Sequence, residues 1–236
     1  MRRTTLLWLA AIAVLTVVVA VQVLMSAGER EVAAQATGGP PTVEPGADVL
    51  AGIAVVPMRI RGFDYHRAAF GDAWDDFNDA PGGRNGCDTR NDILNRDLVD
   101  TTPVAIKRCP NAVATGTLHD PYTNAVVSFV RGNQTGASVQ IDHIVPLALA
   151  WDLGARGWDD AKRKRFANDP ANLLAVAGKA NQDKGDGEPA VWMPPNVAFH
   201  CQYAMQFIEV LRGYQLPVDE PSVPALRAAA ATCPAG

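Results

Sequence analysis

The chain has 236 residues, is 48% hydrophobic and 19% charged, and carries a formal net charge of −4. That length and apolar content support one good-sized domain with accessory segments. The acidic balance argues against a protein that coats nucleic acid by bulk charge, and leaves room for an enzyme that holds a few phosphates locally.

The first element is the uncharged run "LLWLAAIAVLTVVVAVQVLM" behind Arg2 and Arg3. It is long enough to span a bilayer and has no polar face, so residues 1–28 read as either an uncleaved membrane anchor or a cleaved signal peptide. Both readings place the body of the protein outside the cytoplasm, secreted or held at the cell membrane by this N-terminal helix. Residues 29–48 are rich in Gly, Pro, Ala and Thr and read as a flexible linker. The folded domain is expected over residues 49–236. Four cysteines, Cys87, Cys109, Cys201 and Cys233, suggest two disulfides in an exported chain. Three pairings are open. Nearest-neighbour pairing is preferred because it closes two short loops, each contributing roughly 3 kcal/mol by loop entropy. Zinc is disfavoured because no C-x-x-C pair is present.

Further along, "TRNDILNRDL" (89–98) has a capping residue, an early acid and an Ile–Leu pair, and predicts a short helix. Residues 111–130 predict two strands around a polar "HDPYTN" turn. "SVQI" predicts a strand, Pro146 suits the start of a helix over "LALAWDLGA", and residues 158–169 predict a second helix with a basic "KRKR" stripe. "NLLAVA" (172–177) is strand-like. The next segment begins as a helix that Gly185 and Gly187 would end, and residues 197–214 place Cys201, Ala204, Ile208 and Leu211 on one helical face. A last short helix is expected between residues 221 and 231. The elements segregate loosely, which gives an α+β class.

The chemistry concentrates in "IDHIVPLALAW" and "NLLAVAGKANQDKGDGEP". The first supplies Asp142 and His143; the second supplies Asn172, Asn181, Lys184 and Asp186. A histidine near its ordinary pKa can take a proton from water at neutral pH. A hard cation on oxygen ligands can relieve phosphate charge, and Asp142 with the Asn181 amide oxygen are suitable donors. Few protein ligands suit Mg²⁺, with Mn²⁺ as the substitute. Adjacent strand residues point to opposite faces, so Asp142 and His143 can serve one site only if the strand ends or bulges there. Lys184 and Arg90 are candidates for phosphate contact; a solvated lysine and a helix-start ion pair are the plain alternatives. The "KRKR" stripe is either a DNA-facing surface or a solvated helix face. His66, His119 and His200 lack a partner pattern and read as structural or exposed. The five tryptophans read as packing residues.

These motifs carry a family resemblance. "DHIVP", the Asn of "NLL" and the later Asn of "NQDK" fall in the order of the HNH endonuclease superfamily, with its ββα-metal motif. The wider set, "GCDTRNDIL", "DPYTN", "FANDPANLLAV", "NQDKGDGEPAVWMPP" and "CQYA", resembles exported actinobacterial HNH proteins related to the GmrSD C-terminal nuclease domain. The resemblance covers roughly residues 84–214. It implies a ββα-metal core at about 138–196 with added helices, and a metal-dependent endonuclease acting on nucleic acid, DNA before RNA. By the same resemblance His143 is the general base, Asp142 and Asn181 bind the divalent metal, and Asn172 holds the loop carrying His143 within the catalytic set. The final histidine of the three-letter motif is here Asn181. Two alternatives stand beside this: an inactive extracytoplasmic binding protein on the same fold, and a metal hydrolase of another envelope substrate.

Overall fold

The protein is described here by a computed structural model that covers residues 41–236 apart from Gln134. The apolar N-terminal run and most of the expected linker lie outside the described residues. Among the described residues no helix is long and apolar enough to cross a membrane.

The chain from Thr42 onward forms one unit. Residues 42–48, read from the sequence as the end of a linker, are tied to the C-terminus: the Val43 amide donates to the Pro234 carbonyl at 3.0 Å, and Arg227 pairs with Asp48 at 3.2 Å. A short strand β1 (Val55–Val56) lies parallel to β7 (Val218–Asp219), so the first and last parts of this unit meet.

Helix α1 (Thr89–Asp97) starts where expected, capped by the Asp88 carboxylate, which accepts from the Asn91 amide at 2.8 Å. It is followed by an antiparallel sheet in the order β2-β3-β4, comprising Val99–Ile106, Cys109–His119 and Val126–Val130. The β3–β4 pair and its turn match the sequence reading. Strand β2 does not appear in that reading: it is almost wholly exposed, has irregular register and contains Pro103, so it shows no alternation to detect. Its place at the sheet edge is where a strand proline is tolerated.

The second sheet pairs β5 (Val139–His143) with β6 (Leu173–Ala177), antiparallel, in unbroken register from Val139↔Ala177 to His143↔Leu173. Between them lie α2 (Leu147–Leu153), opened by Pro146, and α3 (Asp160–Asn168), capped by Asp159. Helix α4 (Gly178–Lys184) follows β6 without a break, so β5, β6 and α4 make a ββα unit. Two further helices, α5 (His200–Tyr214) and α6 (Val223–Ala230), complete the mixed α+β architecture.

The ββα unit sits between two apolar clusters. Val139 and Ile141, on one face of β5, pack with Ile93, Leu94, Leu118, Phe129 and Leu173. The larger cluster lies beyond Ile144, around Leu149, Phe166, Tyr203, Phe207, Ile208 and Leu226. Burial on both faces explains the near-continuous apolar run around Asp142 and His143. The disulfides join Cys87 to Cys109 and Cys201 to Cys233, the nearest-neighbour pairing. The first ties the approach to α1 to the start of β3; the second ties α5 to the segment after α6.

Candidate functional site

Strand β5 ends at His143. Its next amide, Ile144, makes one last bond in the same register, donating to the Asn172 carbonyl at 2.9 Å. The Asn172 side chain completes the clasp: its Oδ1 accepts from the Val145 amide at 2.8 Å and its Nδ2 donates to the Val145 carbonyl at 3.2 Å. Asn172 is fully buried and is spent on this turn, so it acts on the backbone that carries His143 and not on a reactant.

The strand end answers the geometric question that adjacent residues pose. Asp142 leaves β5 on the face toward Tyr122 and α4, His143 on the opposite one, and both border one open cleft of about 580 Å³ over the strand's end. Asn181 and Arg90 border the same cleft. The ladder carries no bulge here; the end of the strand alone suffices.

His143 is 6% exposed. Its Nε2 lies 2.9 Å from the Ala167 carbonyl, which can only accept, so Nε2 carries the proton and Nδ1 keeps its lone pair. Nδ1 makes no hydrogen bond and is not sealed from solvent. Burial, reinforced by the charges of Arg67 and Lys184, pushes the imidazole pKa down to about 3, against the pull of the Ala167 carbonyl. The Trp74 indole stacks on the ring, with centroids 5.5 Å apart and planes at 12°. Trp74 reaches this position with φ at +59°, a conformation that bulky residues rarely adopt. It packs against the cluster around Leu118 and Phe129, as expected of a packing residue, and also forms a wall of the site.

Asp142 is anchored through one oxygen only. Its Oδ2 accepts from the Tyr122 hydroxyl at 2.5 Å and from Lys184 Nζ at 2.5 Å. Its Oδ1 makes no hydrogen bond and is open to the cleft. Tyr122 comes from the "DPYTN" turn, whose Asp120 also accepts from the Ala177 amide at 2.9 Å and so ties the turn to β6. Asn181 donates through Nδ2 to Gln140 Oε1 at 2.9 Å, which leaves its amide oxygen available. Two oxygen donors facing one cleft suit a hard cation that keeps most of its waters; no cluster of three or more His, Cys, Asp or Glu ligands occurs among the described residues.

Lys184 requires a correction. The sequence marked it for contact with substrate, but its side chain is fully buried. Its three donors are taken by Asp142 Oδ2, the His143 carbonyl at 2.7 Å and the Ile144 carbonyl at 3.1 Å. Nothing remains to offer a phosphate. Burial draws its pKa down while Asp142 opposes the shift. Asp186 is likewise taken up, by Arg59 at 2.8 Å and Arg61 at 2.6 Å. Arg59 also pairs with Asp152 and Glu188, which locks the loop after α4 to α2.

Arg90 stays at the cleft. One of its nitrogens donates to the Gly136 and Val139 carbonyls at 3.0 and 2.9 Å, and it has no carboxylate partner within salt-bridge distance. The "KRKR" stripe is neither free nor simply solvated. Lys162 lies over the Trp158 ring, Arg163 donates to the Ala69 and Trp158 carbonyls, and Lys164 pairs with Asp75. Arg67 and Trp74, missed from the sequence, belong to a segment that is far from the motifs in the chain and meets them only in the fold.

Residues 88–221 match the family described as GmrSD restriction endonucleases, C-terminal domain. An "uncharacterized secreted protein" of Arthroderma benhamiae is 36% identical over 149 residues, which cover 62% of this chain and 68% of that protein. No solved structure matches the chain.

Proposed function

The chain belongs to the family of GmrSD restriction endonuclease C-terminal domains, and from that premise we propose that it is an exported, metal-dependent endonuclease that hydrolyses phosphodiester bonds, in DNA before RNA. The observation that carries the reading is that Asp142 and an oriented, unprotonated His143 border one cleft at the end of one strand. The nuclease core is assigned to residues of about 138–196, the span that holds β5, α2, α3, β6 and α4.

His143 is the general base. The Ala167 carbonyl fixes the tautomer, Trp74 fixes the ring plane, and Nδ1 keeps the lone pair that takes a proton from the attacking water. Burial keeps the ring neutral at physiological pH, so its lone pair is available, but it also makes His143 a weaker base than the histidine near its ordinary pKa expected from the sequence. Asp142 through Oδ1 and Asn181 through its amide oxygen would hold Mg²⁺ or Mn²⁺. Such an ion, when bound, neutralises phosphate charge and stabilises the leaving oxygen. Asn172 and Lys184 hold the strand end in register, and Arg90 binds a non-bridging phosphate oxygen. Export is supported by the two disulfides, which persist in oxidising compartments, and by the secreted relative. The apolar run near the N-terminus serves as signal or anchor.

The test is degradation of plasmid DNA by the purified protein with Mg²⁺ or Mn²⁺. EDTA and His143→Ala should each abolish it, with the loss from the variant on the order of a hundredfold or more. If His143→Ala degrades DNA as fast as wild type, the assignment of the base fails. If RNA or cell-wall fragments are cleaved and DNA is not, the substrate assignment fails. A protein that binds DNA without cleaving it under any metal is the inactive binder.

A further inference from the structure

Three depressions adjoin at the site. The cleft over Asp142 and His143 shares Arg67, Trp74 and His143 with a smaller hollow of about 270 Å³, and shares Trp74, Arg90 and Gln140 with a third of about 390 Å³ that continues past Arg131. Trp74 borders all three, so they form one groove with the reactive pair near its middle.

The charges along this groove are unusual for a chain of net charge −4. Most arginines among the described residues pair with carboxylates, including Arg59, Arg61, Arg84, Arg96, Arg156, Arg163, Arg212 and Arg227. The three that border the groove do not. The Arg67 side chain is exposed and, among the described residues, makes neither a hydrogen bond nor an ion pair. Arg131 donates to the Val113 carbonyl at 2.7 Å and to the Asn91 side chain, both uncharged. Arg90 donates only to carbonyls, and its pKa is lowered by burial and by the nearby positive charge of Arg131. The two guanidiniums repel each other, the Asp88 carboxylate offsets that repulsion only in part, and a bound anion relieves it. The acids of the groove do little to neutralise them. Asp142 is paired with Lys184 and Asp186 with Arg59 and Arg61, which leaves Asp72, at the Arg67 end, as the unpaired carboxylate.

We propose that this groove is the track of the nucleic-acid backbone, with Arg67 binding a phosphate on one side of the cleavage position and the Arg90–Arg131 pair binding one or more phosphates on the other. The inference rests on the nuclease reading and extends it from the reacting bond to the strand on both sides. Arginine suits this task because its planar donors match phosphate oxygens, and the two backbone-tied guanidiniums are already positioned when the strand arrives.

The track is tested by binding, separately from cleavage. A labelled DNA oligonucleotide is titrated with the full protein in EDTA, over a range of salt, using wild type, Arg131→Gln and Arg67→Gln. Each variant should weaken binding roughly five- to tenfold and lower the salt slope by about one. Arg131→Lys, which keeps the charge, should recover part of the affinity. Bis(p-nitrophenyl) phosphate is too short to reach Arg131, so its hydrolysis with Mn²⁺ should fall much less in Arg131→Gln than DNA binding does. Variants that bind like wild type overturn the track, as does a wild type that fails to bind. Equal loss of binding and of small-substrate hydrolysis in Arg131→Gln, without recovery in Arg131→Lys, makes Arg131 a brace for Asn91 and overturns its role. A wild type that binds the oligonucleotide but hydrolyses neither substrate supports the track and sinks the nuclease reading instead.

Discussion

Lys184 Nζ stands 2.5 Å from Asp142 Oδ2, and neither side chain is open beyond 6%. The pair joins the last turn of α4 to the end of β5. The same ammonium also holds the two carbonyls that follow, so three consecutive residues of the strand end depend on one side chain. This relationship lets Asp142 present its other oxygen to the cleft in a fixed orientation.

Removing the lysine is therefore costly. Lys184→Met keeps most of the volume but leaves a buried carboxylate without its counter-charge, held by the Tyr122 hydroxyl alone, and two carbonyls without the ammonium. Breaking a buried pair from one side costs about 3–5 kcal/mol. Urea unfolding should register a loss of that order, and Asp142→Asn introduced into the same background should recover part of it, because the stranded charge is then gone. A loss below about 1 kcal/mol in Lys184→Met would mean that the ammonium is not buried as described.

Trp74 offers a second prediction, because it touches His143 by stacking alone. Trp74→Phe preserves an aromatic face and should retain most turnover on DNA. Trp74→Ala frees the ring to rotate, and misplacement of a catalytic group by about 1 Å costs on the order of a hundredfold. The loss should fall on kcat for a small phosphodiester as well as for DNA. Equal activity of the Ala and wild-type proteins would remove Trp74 from the positioning of the base.

Much of the site was legible in the sequence because it is local. Asp142 and His143 are polar residues in an apolar strand, Asn172 precedes the returning strand by one residue, and Asn181 sits on the helix that follows directly. The pairing of β5 with β6 and the direct step into α4 all lie within residues 139–184. What was missed or misread depends on pairs far apart in the chain. Lys184 looked like any helical lysine before a glycine, since its burial is decided by Asp142, 42 residues away. Tyr122 looked like a turn residue, and only the fold directs its hydroxyl to Asp142. Arg67 and Trp74 lie in a stretch with little regular structure, where periodicity gives no signal. Strand β2 was missed for the opposite reason: it is exposed on both faces, so no burial pattern marks it.

The disulfides give a third prediction. Mass spectrometry without reduction should find no free thiol. The Cys201–Cys233 bond spans 32 residues, and loop entropy for that length is worth about 3–4 kcal/mol. A Cys201→Ser, Cys233→Ser double variant should lose stability of that order and release the C-terminal segment after α6. Because neither cysteine lines the cleft, the turnover of the variant below its unfolding temperature should change little. The Cys87–Cys109 bond differs in this respect, since its 22-residue loop contains α1 and Arg90. Its removal should weaken DNA binding as well as stability. Four free thiols in the native protein would end both expectations.

Asp92 supplies a prediction in pH. It is half-buried in the first turn of α1 and accepts from Asn85 Nδ2 at 3.0 Å. Burial first, then the charges of Asp88 and Asp76, raise its pKa to about 6, against the effect of Asn85. The folded protein therefore holds a proton that the unfolded chain, near 3.8, has already released. The stabilisation from that proton is complete below about pH 4 and is lost as pH rises through about 6. Full conversion of the shift would be about 3 kcal/mol; half exposure and the favourable helix N-terminus reduce it to about 1 kcal/mol. Asp92→Asn is close in shape and carries no charge. Its advantage over wild type in thermal unfolding should be small near pH 4 and approach that 1 kcal/mol by about pH 7.5. A difference between the two proteins that stays constant over this range would show that the Asp92 carboxylate is as well solvated in the folded protein as in the unfolded chain.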